Sequence, residues 1–262
     1  VAAADAAYVI LWNLFAAPRH WNWPIHIATR GLVNGVLQAS IVALFAVVGC
    51  LIFLVVRLRP SDVGLKWRNL LPAVCFGFGL WIAINLSYLI LPLVMGGPIA
   101  LNAAWHKPLT AIGTLVSQVF GGALYEEIVF RGYLTVQIFY LLHRLPKWNA
   151  VAIAVLIAQG LFAIHHIPAL LFLGYDWHEV WSALPYLFFS GLMLAYVYIY
   201  TENLLIAVGI HALMNAPTLI VTPQGPDYHD VALYLGLLAA FLWRRPARIT
   251  NQVTPPSAPA SP

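Results

Sequence analysis

Apolar residues fall along this chain in long uncharged stretches rather than on one face of short elements. Residues 31–56 carry no charge and end at Arg57 and Arg59; residues 70–95 repeat the pattern before the breakers Gly96, Gly97 and Pro98. Crossing a bilayer takes about 20 apolar residues in a helix, so each stretch predicts a span. A third stretch, 109–142, is interrupted by Glu126, Glu127 and Arg131. As one helix it would be about 51 Å long at ~1.5 Å per residue, beyond a ~30 Å hydrocarbon core. It must tilt, break or fold back, with Gly121-Gly122 or Gly132 as the breaking points. Further spans are predicted at 149–173, 183–200, 203–221 and 231–243.

The pattern therefore predicts an all-α, multi-pass transmembrane bundle of about seven to eight spans. Residues 31–243 form its single transmembrane domain. Residues 1–30, with Trp12, Trp21 and Trp23 beside Arg19 and His20, read as an interfacial helix and loop. Residues 244–262 read as a basic segment, Arg244, Arg245 and Arg248, followed by a disordered Pro, Ala and Ser tail. No basic segment precedes an apolar run in the first residues, so no signal peptide is expected there.

Composition sharpens this reading. Of the 262 residues, 62% are hydrophobic and 8% charged, against about 25% charged in a soluble domain, which excludes a water-soluble globule. Ten Trp and twelve Tyr suit the two membrane interfaces. The formal charge of +4 does not imply nucleic acid, because nine of the thirteen Lys and Arg lie in three clusters, 57–68, 144–147 and 244–248. Positive-inside logic puts these clusters on the cytoplasmic side of a plasma (inner) membrane, with the C-terminus cytoplasmic. The opposite loops then hold Asp176, Glu179, Asp227 and Asp230 with Lys107. Cys50 and Cys75 sit inside apolar runs, without the spacing of a disulfide framework or a zinc knuckle.

Ionisable side chains within spans are costly and mark candidate function. Here they are Glu126, Glu127, Arg131, His165, His166 and His211, joined by the polar Asn215. Glu127 and Arg131 are four apart with the acid N-terminal, the better orientation for a helical ion pair. Glu126 lies about 100° round the helix from Glu127 and faces another surface, as a free general base would. The alternative is a charged patch snorkelling at a helix end. Phe162 and His166 share a face, which His165 does not. His211 and Asn215 share a face as well, and two such groups on rigid backbone suit either a developing oxyanion or interhelical polar contact.

Taken in order, Glu126-Glu127-x-x-x-Arg131, Phe162-x-x-x-His166 and His211-x-x-x-Asn215 resemble the motifs of the CAAX protease and bacteriocin-processing family, also called the Abi family, of intramembrane endopeptidases. The resemblance covers about 90 residues, Gly121 to Asn215. It implies a helical bundle of about eight spans around a polar cavity, acting on a peptide or membrane-protein substrate within the bilayer. Glu126 would activate water for peptide hydrolysis, supported by Glu127 and Arg131. His166, next to Phe162, would position that water, and His211 with Asn215 would bind the oxyanion.

Rival chemistries find less support. There is no His-Glu-x-x-His, and Phe188 stands where a Gly-x-Ser-Gly serine motif ending at Ser190-Gly191 would need Gly. A phosphate-handling enzyme would want several intramembrane cations or paired Asp motifs, and only Arg131 is available. No cofactor is expected. If zinc took part, Glu126, His166 and His211 would be its ligands, with water fourth; without a close-spaced ligand pair on one helix, a metal-free glutamate mechanism is favoured. The reading from another class is an accessory or structural subunit that keeps the protease fold within a larger membrane complex. Proton-relay transport is a third reading, weakened by the lack of repeated broken helices.

Overall fold

The structure is a computed structural model, and it describes Ala7 and residues 23–243. The expected interfacial segment up to residue 22 and the tail from 244 lie outside the described residues, apart from Ala7. The described chain folds as helices joined by short turns, with one isolated antiparallel bridge between Leu101 and Val221. In order these are α1 (Trp23–Ala28), α2 (Gly35–Val55), α3 (Trp67–Met95), α4 (Pro108–Val119), α5 (122–141), α6 (Lys147–His165), α7 (Ile167–Phe172), α8 (Trp177–Thr201), α9 (Leu204–Asn215) and α10 (Tyr228–Leu242).

Among the described residues four helices are long and apolar enough to cross a membrane: α2, α3, the α6–α7 unit and α8. Their outer faces are apolar: Phe45, Leu54, Leu71, Phe78 and Val94 are all exposed. A surface of this kind belongs in lipid rather than water. The chain is thus a multi-pass membrane protein. Helix α8 starts at Trp177, several residues before the expected span, because Asp176 and Glu179 form a capping box: each side chain accepts from the other's backbone N–H, at 2.8 and 2.9 Å.

The long apolar stretch 109–142 is broken, as its length requires. Helix α4 ends at Val119, and Gly121 (φ −133°, ψ −102°) carries the kink into α5. Gly132 does not break the chain. It lies inside a π-helical segment, Glu127–Leu134, where Thr135 Oγ1 donates to the Phe130 carbonyl at 2.7 Å. Its missing side chain lets the Val63 backbone come close, and a Cβ there would collide with the Val63 carbonyl oxygen. Gly132→Ala is therefore expected to cost about 1–3 kcal/mol by overpacking, read as a lower Tm of the purified protein in detergent.

The expected span 203–221 is shorter than its hydropathy suggests. Helix α9 stops at Asn215 because Ala216 precedes Pro217, and a residue before proline is driven out of the α region; Ala216 sits at φ −149°, ψ 72°. At 12 residues α9 is about 18 Å long, too short to cross a bilayer alone. It does not have to, because it packs against α3, α4, α5, α8 and α10. Ile206, Ala207, Ile210 and Ala212 are completely buried within it. The most enclosed helix of the bundle thus carries His211. Past it, residues 218–222 run beside 98–102: Asn102 N–H donates to Ile220, Thr222 N–H donates to Ala100, and Asn85 Oδ1 accepts from Ile220 N–H at 2.8 Å.

Candidate active site

Three helices deliver the polar residues to one place. The π-helical segment of α5 begins at Glu127, so Glu126 is the last residue before the widened turn. Such one-turn widenings inside helices recur at functional sites. Glu127 Oε1 lies 3.0 Å from Arg131 Nη1, and neither side chain reaches solvent. Arg131 also donates from Nη2 to the Gly191 carbonyl at 3.5 Å and lies over the Phe162 ring, 4.1 Å from its centroid. The guanidinium is thus held by an anion, a carbonyl and an aromatic face.

His166 caps the end of α6, with α7 starting at Ile167 and Pro168 in its first turn. Its Nδ1–H donates to the Phe162 carbonyl at 2.8 Å. His211 Nδ1–H donates to Glu127 Oε1 at 2.8 Å, so Glu127 serves two partners, Arg131 and His211. A carbonyl and a carboxylate can only accept, so each ring carries a proton on Nδ1 and, when neutral, a lone pair on Nε2. Both Nε2 atoms face Glu126 Oε2, His211 at 3.6 Å and His166 at 3.9 Å. These separations are too long for direct hydrogen bonds, yet a water hydrogen-bonding at ~2.8 Å can bridge Glu126 Oε2 to either imidazole.

The cluster is walled on one side by aromatics. Phe162 is buried, its ring centroid 4.7 Å from that of His166 and 6.0 Å from that of His211. Phe130 packs edge-on to Phe162 and also meets the His165 ring at 5.4 Å, so His165 points behind the site. On the other side the Glu126 and His166 side chains keep 18% and 22% exposure, although Glu126 Oε2 itself is buried. Asn215, one turn beyond His211, is exposed and donates from Nδ2 to Gln118 Oε1 at 3.1 Å. Glu126, His166 and His211 are therefore brought together, Glu127 and Arg131 lie directly behind them, and Asn215 sits at the edge.

Gln118, which accepts from Asn215, is not ionisable and so does not stand out among the charged groups of the spans; an amide within an apolar run is its one mark in the sequence.

Zinc makes a specific demand on this geometry. Ligand atoms about 2.0–2.1 Å from a tetrahedral ion are about 3.3 Å apart. The gaps from Glu126 Oε2 to the two imidazoles, 3.6 and 3.9 Å, are wider. Among the described residues no group of His, Cys, Asp or Glu is placed as a metal site.

Residues 108–217, from α4 to just past Asn215, match the profile of a protein family described as type II CAAX prenyl endopeptidase Rce1-like. The match contains every residue of the cluster. No curated protein matches the chain, and no solved structure does.

Proposed function

We propose that this chain, which carries an Rce1-like domain of the CAAX protease family within a multi-pass membrane fold, is an intramembrane endopeptidase with Glu126 as its general base. The observation that carries the reading is the convergence of His166 Nε2 and His211 Nε2 on Glu126 Oε2, an oxygen with no hydrogen-bond partner among the described residues. Buried polar atoms normally find partners. A carboxylate left free between two imidazoles is poised for a water.

In this reading the water donates one proton to Glu126, and its oxygen attacks the peptide carbonyl carbon. The carbonyl oxygen becomes an oxyanion. His211, with its Nδ1–H held by Glu127, can donate to it from Nε2 when the ring is protonated. Asn215 adds its second amide proton at the edge. Collapse breaks the C–N bond, and Glu126 returns its proton to the leaving amine. His166, anchored by the Phe162 carbonyl, positions the water throughout. In the same reading the bundle lies in the plasma (inner) membrane, with about seven to eight spans and with the basic clusters and C-terminus cytoplasmic.

The family description makes a prenylated C-terminal CAAX peptide the first substrate to assay, with an unprenylated peptide as its control. Cleavage of the first by the purified protein, abolished in Glu126→Gln, supports the reading. Intact folding without cleavage of any peptide, together with stoichiometric co-purification with one large membrane complex, would favour the accessory-subunit reading. A glutamate mechanism needs no ion, so exhaustive chelation is expected to leave the cleavage rate unchanged. Loss of activity restored by added zinc would reassign the site to a metalloprotease.

A further inference from the structure

Past the end of α9 the backbone takes a conformation that the proposed reaction does not explain. Among the described residues four that are not glycine have a positive φ: Arg30, Arg57, Glu202 and Thr218. Arg30, Arg57 and Glu202 lie one or two residues past a helix end, where the left-handed region is ordinary. Thr218, at φ 46°, lies three residues past α9. It alone of the four is β-branched, which makes it a true outlier. Such a residue persists only where its surroundings over-determine it, and residues of this kind cluster at functional sites.

Contacts around Thr218 supply that constraint. Trp81, in the middle of the apolar helix α3, donates from Nε1 to Thr218 Oγ1 at 2.9 Å. The indole is itself steadied by stacking on Phe78, with 5.9 Å between ring centroids. The residues that follow are fastened separately: Trp105 Nε1 donates to the Leu219 carbonyl at 2.9 Å, and Ile220 N–H donates to Asn85 Oδ1 at 2.8 Å. On the near side, Ala216 N–H donates to the Ala212 carbonyl at 2.8 Å, completing the last turn of α9, and Asn215 donates to Gln118. Thr218 is the link between these two fixed stretches, and Trp81 holds it by its hydroxyl.

We propose that Trp81 is a positioning residue: by holding Thr218 in its left-handed turn it fixes the end of α9, and with it the place where Asn215 presents its amide. The catalytic consequence rests on the proposed function, in which that amide serves the oxyanion. The hold on the end of α9 stands without it. A contact to the oxyanion is made only in the transition state, so a slackened Asn215 is felt in kcat and not in KM. Hydropathy does not mark this role, because a tryptophan in an apolar run reads as core or interface.

Trp81→Phe keeps an aromatic ring and removes the donor. Hydrogen–deuterium exchange of the full chain in detergent should then quicken at the Ala216 amide and stay slow in the middle of α9. This is read whether or not the protein cleaves anything, and unchanged exchange at Ala216 would overturn the proposal. On a prenylated peptide, Trp81→Phe should lower kcat about tenfold with KM unchanged, part of the ~10²–10³ that a whole oxyanion donor supplies. Glycine takes the left-handed conformation without strain. In a Thr218→Gly background, Trp81→Phe should therefore change kcat less than about twofold, since the two sites act as one. In an Asn215→Ala background it should likewise add little, because the effect runs through that amide. A full tenfold loss in either background would overturn positioning through Thr218 and Asn215, and so would an unchanged kcat beside faster exchange. A parent protein that cleaves no peptide would count against the proposed function instead, and the exchange at Ala216 would still decide the hold on α9.

Discussion

Glu127→Gln and Arg131→Gln should each destabilise the protein more than any other single polar substitution in the site. Their side chains form a pair that solvent does not reach, 3.0 Å apart. Removing one partner strands the other charge in a low-dielectric interior, which typically costs ~3–5 kcal/mol. For a chain of this length that is a fall in Tm on the order of 10 °C, checked by thermal melting in detergent. Replacing both together is expected to cost less than the sum, because no stranded charge remains. Glu127→Gln should also slow cleavage, because Glu127 Oε1 receives the His211 Nδ1 proton at 2.8 Å. A neutral amide oxygen still accepts that bond, but more weakly than a carboxylate does.

Glu126→Gln is expected to lower the cleavage rate by about 10²–10⁴, the range a positioned general base contributes. The substitution keeps the size of the side chain and removes only its capacity to take a proton. Stability should hold, because Glu126 makes no hydrogen bond through Oε2 and keeps 18% exposure. His166→Gln and His211→Gln should fall between the two acids. His166 is anchored only to a backbone carbonyl at its own helix end, whereas His211 is buried on the ion pair, so only the second is expected to lose stability as well.

Much of this site is legible in the sequence because its parts are local. Pairs four apart on a helix meet by geometry alone, and so Glu127 with Arg131 and Phe162 with His166 can be read from spacing. The break in the stretch 109–142 is legible too, because 34 apolar residues overrun the bilayer. What spacing does not carry is which helices meet. The His211 hydrogen bond to Glu127 joins residues 84 positions apart, and that of Asn215 to Gln118 joins residues 97 apart; no periodicity encodes either. The end of α9 at Asn215 departs from the hydropathy pattern for a different reason. Hydropathy continues past Asn215 to Val221, and the backbone preference imposed by Pro217 overrides it.

The central claim is that the two adjacent acids do different work, Glu126 on the water and Glu127 on the scaffold. The most direct measurement compares Glu126→Gln and Glu127→Gln, purified side by side, for rate on a prenylated CAAX peptide and for Tm. The account predicts that Glu126→Gln retains the parent Tm and loses at least ~10² in rate, while Glu127→Gln loses both. Equal losses of rate in the two variants with both melting temperatures unchanged would contradict it.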